Sequence, residues 1–312
     1  DFMQAFWEVE EVQEKAIRLL ASFVRDKSAL PYLPRFTELI AFAMKTHVDS
    51  VKLQVDGCSL LLEILSQAPE QDVMAPDENV PNALLETLRK HSENEELLSL
   101  VCTLLMMISA SEVATENLRK AGAIPDLLSI LRSFLHNEQI CLSCCGVLWS
   151  LAASENNIDQ EVLKSAVPVT SAVLQEHLQD GAVTESACSA LWALSLQGCL
   201  SENDYEPTTA LLLDALRMNP ERPVLVKNTL LALASLLRIS EIPALRFIMD
   251  PKGNGINLMK YAYHLHFDHP QVVESICMLI YEMLQYDEVV LDMRFQKMEE
   301  LLSEIKSSFP SS

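Results

Sequence analysis

Apolar residues recur along the chain in a helical pattern that repeats about every 43 residues. The clearest copy is the stretch 140–152, ICLSCCGVLWSLA, in which apolar or small residues follow Ile140 at plus 4, plus 7, plus 8 and plus 11. At 3.6 residues per turn these positions share one face of an α-helix. The starts lie 41, 44, 43, 43, 42 and 47 residues apart, which predicts a structural repeat over almost the whole chain. They are Val12, Leu53, Leu97, Ile140, Val183, Leu225 and Val272.

Further helices are predicted between these starts. A proline follows three of them by 28 residues, and it suits the first turn of a helix because its missing N–H would have no partner there; these are Pro81, Pro125 and Pro168. A short helix is expected over 113–121, with Gly122 as a left-handed cap. Turns are expected at 67–76, 198–207 and 250–255. Each complete repeat therefore has room for three helices.

The stretch 121–131, AGAIPDLLSIL, followed by ICLSCCGVLWSLA, resembles the second and third helices of an armadillo repeat. The stretch 183–195, VTESACSALWALS, resembles the third helix again. Strong matches are confined to the repeats that begin at Leu97, Ile140 and Val183, and HEAT-type helix pairs remain an alternative at both ends. The resemblance implies an all-α, right-handed α-solenoid of about seven armadillo-like repeats, forming a single domain over 1–312. We then expect a protein–protein interaction scaffold that binds a protein partner along its concave face.

Composition narrows the classes of partner. The formal net charge is −21, and no basic stripe is present, so a nucleic acid is not an expected partner. No apolar run reaches the length of a membrane span, and an intracellular, cytoplasmic location is expected. Because the sequence begins with Asp1, we expect a fragment of a longer chain, in which something upstream covers Phe2, Phe6 and Trp7.

Cysteines and histidines are the main candidates for metal chemistry. Five of the eight cysteines stand at plus 5 of their own helices, which places them one repeat apart, roughly 10 Å, too far for a disulfide or a shared zinc. These are Cys58, Cys102, Cys145, Cys188 and Cys277. We expect structural thiols and a reducing compartment. The triplet His264, His266 and His269 is better explained by the C-terminus of a helix than by a zinc site.

No enzyme is predicted from the residues themselves. The sequence has no Gly-x-Ser-x-Gly elbow, and the run at 252–255 lacks the spacing and the Ser or Thr of a phosphate loop. We therefore expect no catalytic residue, no cofactor, no metal and no small-molecule substrate.

Candidate partner-binding residues stand at plus 9 of the repeated pattern. Two consecutive tryptophans there would form an aromatic strip of the kind that anchors interfaces, although burial between adjacent repeats is the alternative. The plus 9 residues are Met106, Trp149, Trp192 and Tyr281, with Leu62 in a fifth repeat. We expect Trp149 and Trp192 to be apolar anchors, with Ser150 and Ser189 as rim contacts. Positions plus 3 and plus 6 are expected to lie opposite the core and are mostly neutral: Ser143, Ser186, Ser275, Asn228, Ser59, Thr103, Gly146 and Ser189.

Import-signal binding is not expected. Armadillo proteins such as importins and catenins place an Asn at plus 10 of successive repeats, and importins add a Trp at plus 6, but this chain has neither series of residues.

Two further functions stay open. The chain also weakly resembles the C-terminal helical tail of a serine/threonine-kinase-like protein, which implies a regulatory tail of a larger enzyme. A purely structural spacer is the remaining alternative.

Overall fold

The computed structural model describes residues 2–67, 78–154 and 159–309, and in these ranges it contains helices and no strand. The predicted all-α fold is confirmed for this part of the chain. The helices of the first half are α1 (Phe2–Ala5), α2 (Glu10–Val24), a 3-10 helix (Lys27–Tyr32), α3 (Leu33–Thr46), α4 (Val51–Gln67), α5 (Asn79–Lys90), α6 (Glu95–Ile108), α7 (Glu112–Lys120), α8 (Ala123–Ser133) and α9 (Glu138–Ala153). Those of the second half are α10 (Gln160–Lys164), α11 (Ala166–Glu176), α12 (Gly181–Leu196), α13 (Glu202–Met218), α14 (Pro223–Ile239), α15 (Glu241–Ile248), α16 (Gly255–His266), α17 (Pro270–Met283), α18 (Asp287–Phe295) and α19 (Met298–Ser308).

Each of the seven predicted starts lies in a different helix. We call these the motif helices: α2, α4, α6, α9, α12, α14 and α17. The three prolines lie in the first turns of α5, α8 and α11, as predicted. Gly122 has a φ of +73° between α7 and α8, which confirms the left-handed cap. The expected turn at 67–76 falls almost entirely outside the described residues.

Polar caps define where several helices begin. The side chain of Asn94 accepts a hydrogen bond from the Leu97 N–H at the start of α6, and Asp180 accepts one from the Val183 N–H at the start of α12. The predicted turn at 198–207 is wrong in its second half, because α13 already begins at Glu202. Ser201 and Asp204 form a capping box there, which stabilises the first turn and leaves Pro207 inside the helix.

The contacts divide the chain into two compact units, Asp1–Leu151 and Ala152–Ser312. In the first unit, α2 packs on α4 and α4 packs on α6, so that successive motif helices lie side by side. The helices α3 and α5 also pack together, and α5 contacts α7 and α8. The second unit repeats this arrangement: α12 packs on α14 and α14 packs on α17, while α13 contacts α11, α15 and α16. In each unit, a helix therefore contacts both its sequence neighbours and its counterpart one repeat away.

The expectation that plus 3 and plus 6 lie opposite the core is wrong for several residues. Ser143, Asn228 and Ser275 at plus 3, and Ser189 at plus 6, are buried. Asn228 Nδ2 on α14 donates to Ser189 Oγ on α12 at 2.8 Å. Asn228 and Ser189 thus face a neighbouring motif helix, and side-by-side packing buries the flanks of a helix as well as its apolar face.

Among the residues described, no helix combines the length and the hydrophobicity that crossing a bilayer requires.

Candidate partner-binding surface

Trp149 is an accessible aromatic side chain on α9. Its exposed fraction is 41%, whereas Cys145, Leu148 and Ala152 around it on the same helix are buried. Burial of these three residues fixes the rotation of α9 about its axis and turns position plus 9 outward. Met106, the plus 9 residue of α6, is half-buried.

Trp149 and Met106 stand on two helix stretches that carry no charged side chain, and we call the accessible residues of these stretches the α6–α9 surface. Neither 97–110 nor 139–154 contains an Asp, Glu, Lys or Arg, although the whole chain carries a formal charge of −21. Its accessible members are half-buried or exposed: Thr103, Met106, Met107, Leu142, Gly146, Trp149 and Ser150. An apolar surface with few polar groups costs little to desolvate, which suits a protein interface.

Hydrogen bonds between α6 and α9 hold this surface together. Gln139 Nε2 donates to Thr103 Oγ1 at 2.9 Å, near the start of α9. Ser150 Oγ lies 3.4 Å from Ser109 Oγ, towards the other end of the two helices. Ser150, predicted as a rim contact, is half-buried and is therefore both accessible and positioned by its neighbour.

The second unit presents a less continuous set of plus 9 residues. Trp192 on α12 is half-buried, and Tyr281 on α17 is 73% exposed. Between these helices lies α14, whose plus 9 residue, Ala234, is buried. Ser189 is also buried, and its hydroxyl donates to the Glu185 carbonyl oxygen at 2.8 Å, so we leave it out of the proposed surface.

The cysteines lie mainly in the interior. Seven of the eight are buried, and Cys277 is half-buried. Burial raises the pKa of Cys58 and that of Cys188 to about 12, so both stay protonated near neutral pH. In the described residues, no group of three or more His, Cys, Asp or Glu side chains is arranged to hold a metal ion.

One pair of thiols is much closer than the predicted spacing of about 10 Å between counterparts on neighbouring motif helices. Cys144 Sγ and Cys102 Sγ are 3.5 Å apart. The hydrogen bond to Cys102, together with burial, raises the pKa of Cys144 well above its ordinary value. The spacing of about 10 Å applies to two residues that both stand at plus 5, whereas Cys144 stands at plus 4 of α9 and lies against Cys102 at plus 5 of α6.

The three histidines near residue 266 do not form one site. His264 is exposed on α16, and His269 is an exposed residue directly before α17 that makes no side-chain capping hydrogen bond. His266 is buried, and its Nε2 lies 2.7 Å from the carbonyl oxygen of Pro220. A carbonyl oxygen only accepts, so this nitrogen carries the proton and donates.

His266 belongs to a set of side chains that the sequence analysis missed. Each member lies at the end of a helix and donates to a backbone carbonyl 40 to 46 residues earlier, at 2.6 to 2.8 Å. The pairs are His47 with Trp7 O, His91 with Val48 O, Asn219 with Leu178 O, and His266 with Pro220 O. The signal in the sequence was a His or Asn recurring a few residues before the motif helices. These contacts tie neighbouring repeats together.

No known protein-family model matches this chain. The assignment of a binding surface therefore depends on the geometry and on the internal repeat.

Proposed function

We propose that this chain is a protein-interaction module that binds a protein partner through its motif helices, with the α6–α9 surface as the main contact. The observation that supports the proposal most directly is Trp149, an exposed indole on a helix stretch without charged residues in a strongly acidic chain. Aromatic side chains in such positions are typical energetic anchors of interfaces.

Binding would depend on shape and on apolar contact. The side chains of the α6–α9 surface stand on two helices that are already hydrogen-bonded to each other. Little conformational entropy is then lost when a partner binds, because the surface is preorganised. The complementary partner is a segment with apolar side chains and few charges, since unpaired charges would lose hydration against this surface.

The wider hypothesis is an armadillo-like, intracellular scaffold with no enzymatic activity in these residues. The helical-repeat part of this hypothesis is supported by the 41- to 47-residue period and by the contacts between successive motif helices in each unit. The count of about seven repeats, the right-handed superhelix and the concave binding face stay predictions from the sequence.

The test compares Trp149→Ala with a tryptophan elsewhere on the chain. Trp7→Ala is the matched control, because Trp7 has a similar exposed fraction, 44% against 41%. Proteins captured from cell extract by the wild-type chain are identified, and the dissociation constant of the purified partner is measured for each variant by calorimetry. We expect Trp149→Ala to weaken binding by about 2 kcal/mol or more, roughly 30-fold, with unchanged helicity.

Trp192→Ala in the second unit tests whether the second tryptophan contributes. Trp7→Ala should bind like the wild type. Equal affinity of Trp149→Ala and the wild-type chain would contradict the α6–α9 surface and would favour the spacer function.

A further inference from the structure

One pair of buried thiols joins two motif helices. Cys102, at plus 5 of α6, and Cys144, at plus 4 of α9, are both fully buried, and their sulfur atoms lie 3.5 Å apart. The S–S bond of a disulfide is about 2.05 Å long, so the two sulfur atoms need to approach each other by only about 1.5 Å. A small movement of the two helices is therefore enough for a disulfide to form between neighbouring repeats.

The register of the repeat makes this pair specific. The residue at plus 5 of one motif helix meets plus 4 of the next, and in the second unit Cys188 on α12 makes a side-chain hydrogen bond with Thr229 on α14. By the same register, Cys58 on α4 faces Val101 on α6, which has no sulfur. In the sequence, no other two successive motif helices carry cysteine at both positions.

Burial and a hydrogen bond keep the pair reduced under resting conditions. The S–H group of Cys144 donates to the sulfur of Cys102, and this bond together with burial raises the pKa of Cys144 well above its ordinary value. A protonated thiol reacts slowly with an oxidant, because the thiolate is the nucleophile. Oxidation therefore requires local opening of α6 and α9 and an oxidant as small as hydrogen peroxide.

Hydrogen peroxide supplies the oxidising equivalents for the disulfide. One thiol is oxidised to a sulfenic acid, and the second oxygen atom of the peroxide leaves as water. The other thiol then attacks the sulfenic sulfur, the S–S bond forms, and the hydroxyl group leaves as water with the proton of the attacking thiol. The second step is fast because the two sulfur atoms are already in contact. Two thiols and one peroxide thus give one disulfide and two water molecules.

The disulfide would lie beneath the α6–α9 surface. Met106 follows Cys102 by four residues on α6, and Trp149 follows Cys144 by five residues on α9. The two hydrogen bonds between these helices described above involve residues of α9 on both sides of Cys144. A covalent bond between these two contacts would prevent α6 and α9 from moving separately.

We propose that Cys102 and Cys144 form a redox switch, in which a hydroperoxide joins them in a disulfide that holds α6 and α9 together and a thiol reductant breaks it. Disulfides that form in reducing compartments are usually transient and often sense oxidants. The switch depends on residues of this chain alone and does not depend on the function proposed above.

The test uses the full chain with Cys277→Ser as the parent of all variants, so that this half-buried thiol cannot link two chains. The parent is treated with hydrogen peroxide, the remaining thiols are alkylated in denaturant, and a digest made without reductant is analysed by mass spectrometry. The melting temperature and the amide hydrogen exchange of α6 and α9 are measured before and after treatment.

Two variants of the parent identify the bond. Cys144→Thr removes it and reproduces the Cys188–Thr229 pair that the second unit already accommodates. Cys58→Ser is the matched control, because Cys58 is as fully buried at plus 5 of its helix as Cys102 is.

We expect peroxide to produce a linked peptide pair that contains positions 102 and 144. It should raise the melting temperature by about 5 °C or more and slow amide exchange in α6 and α9 by about tenfold, and dithiothreitol should reverse these changes. Cys58→Ser should behave like the parent, whereas Cys144→Thr should show none of the three changes.

Two results in the parent chain itself would overturn the proposal. One is oxidation of either thiol to a sulfinic acid without a linked peptide pair. The other is a linked pair that leaves amide exchange in both helices unchanged.

Discussion

Small side chains set the distance between helices at single positions of the repeat. Gly57, at plus 4 of α4, is the clearest case, because a Cβ atom there would lie 2.8 Å from Met44 Sδ. On α9 the plus 4 residue is Cys144, whose sulfur lies against that of Cys102. A thiol fits these positions as a small apolar group with a weak hydrogen-bond donor. Close helix packing thus explains the small side chains Gly57 and Cys144 at plus 4.

Thiol reactivity tests this interpretation residue by residue. We expect one thiol, Cys277, to react with Ellman's reagent in the native chain at pH 8, because it is half-buried whereas the other seven are buried. Cys58 and Cys188 should stay unreactive, since burial raises the pKa of both to about 12 and the reagent attacks the thiolate. Raising the pH from 7 to 9 should accelerate the Cys277 reaction, because it increases the thiolate fraction.

The control for this experiment is Cys277→Ser, which should remove the fast phase without changing the remaining amplitude in denaturant. A fast phase of two or more thiols per chain would show that the interior cysteines are accessible.

At the scale of the elements, side chains at helix ends fix the register between neighbouring repeats. His91 at the end of α5 donates to Val48 O, and Asn219 at the end of α13 donates to Leu178 O. The two side chains differ in chemistry but make the same kind of bond, from a helix end to the connection of the preceding repeat. The shared requirement is a donor of suitable reach, and the ring itself is not needed.

The variants His91→Asn and His91→Ala distinguish a requirement for a hydrogen-bond donor at this position from a requirement for the imidazole ring. Loss of the donor in His91→Ala should lower the free energy of unfolding by about 1 to 2 kcal/mol, because the half-buried carbonyl loses its partner. His91→Asn should retain most of the stability, as Asn219 makes the equivalent bond in the second unit. Urea unfolding followed by circular dichroism gives both values.

His264→Ala is the control, because His264 is exposed on α16 and its replacement should change the free energy of unfolding little. Equal losses in His91→Asn and His91→Ala would contradict a role for the donor and indicate that ring packing matters instead.

These elements also show what the sequence could and could not predict. The apolar period placed all seven motif helices, but position plus 9 left open whether the Trp149 indole is exposed or packed between adjacent repeats. The helical wheel failed at Asn228 and Ser275, because it describes one buried face and says nothing about the flanks that stacking covers. Bonds such as that between His91 and Val48 O join residues 43 apart, and no local pattern predicts their geometry.

At the scale of the whole molecule, a large negative charge coexists with ion pairs between repeats. The formal charge is −21, from 44 acidic and 23 basic residues. Many of the basic residues pair across a repeat, as Arg89 does with Asp126 at 2.7 Å and Arg222 with Glu185 at 3.1 Å. Pairs of this kind are partly exposed, and each contributes between about 0 and 1 kcal/mol. The excess carboxylates repel one another over longer distances.

Salt distinguishes the two contributions, because screening depends on distance. The Debye length falls from about 30 Å at 0.01 M to about 8 Å at 0.15 M ionic strength, so long-range repulsion weakens while pairs near 3 Å are largely kept. We expect the melting temperature to rise between 10 and 150 mM sodium chloride, by roughly 2 to 4 °C for each kcal/mol of repulsion removed. Replacing four exposed glutamates by Gln (Glu8, Glu93, Glu288 and Glu304) should reduce this rise, since less repulsion remains to be screened. A melting temperature that falls with salt would mean that ion pairs such as Arg89–Asp126 contribute more to stability than the net charge removes.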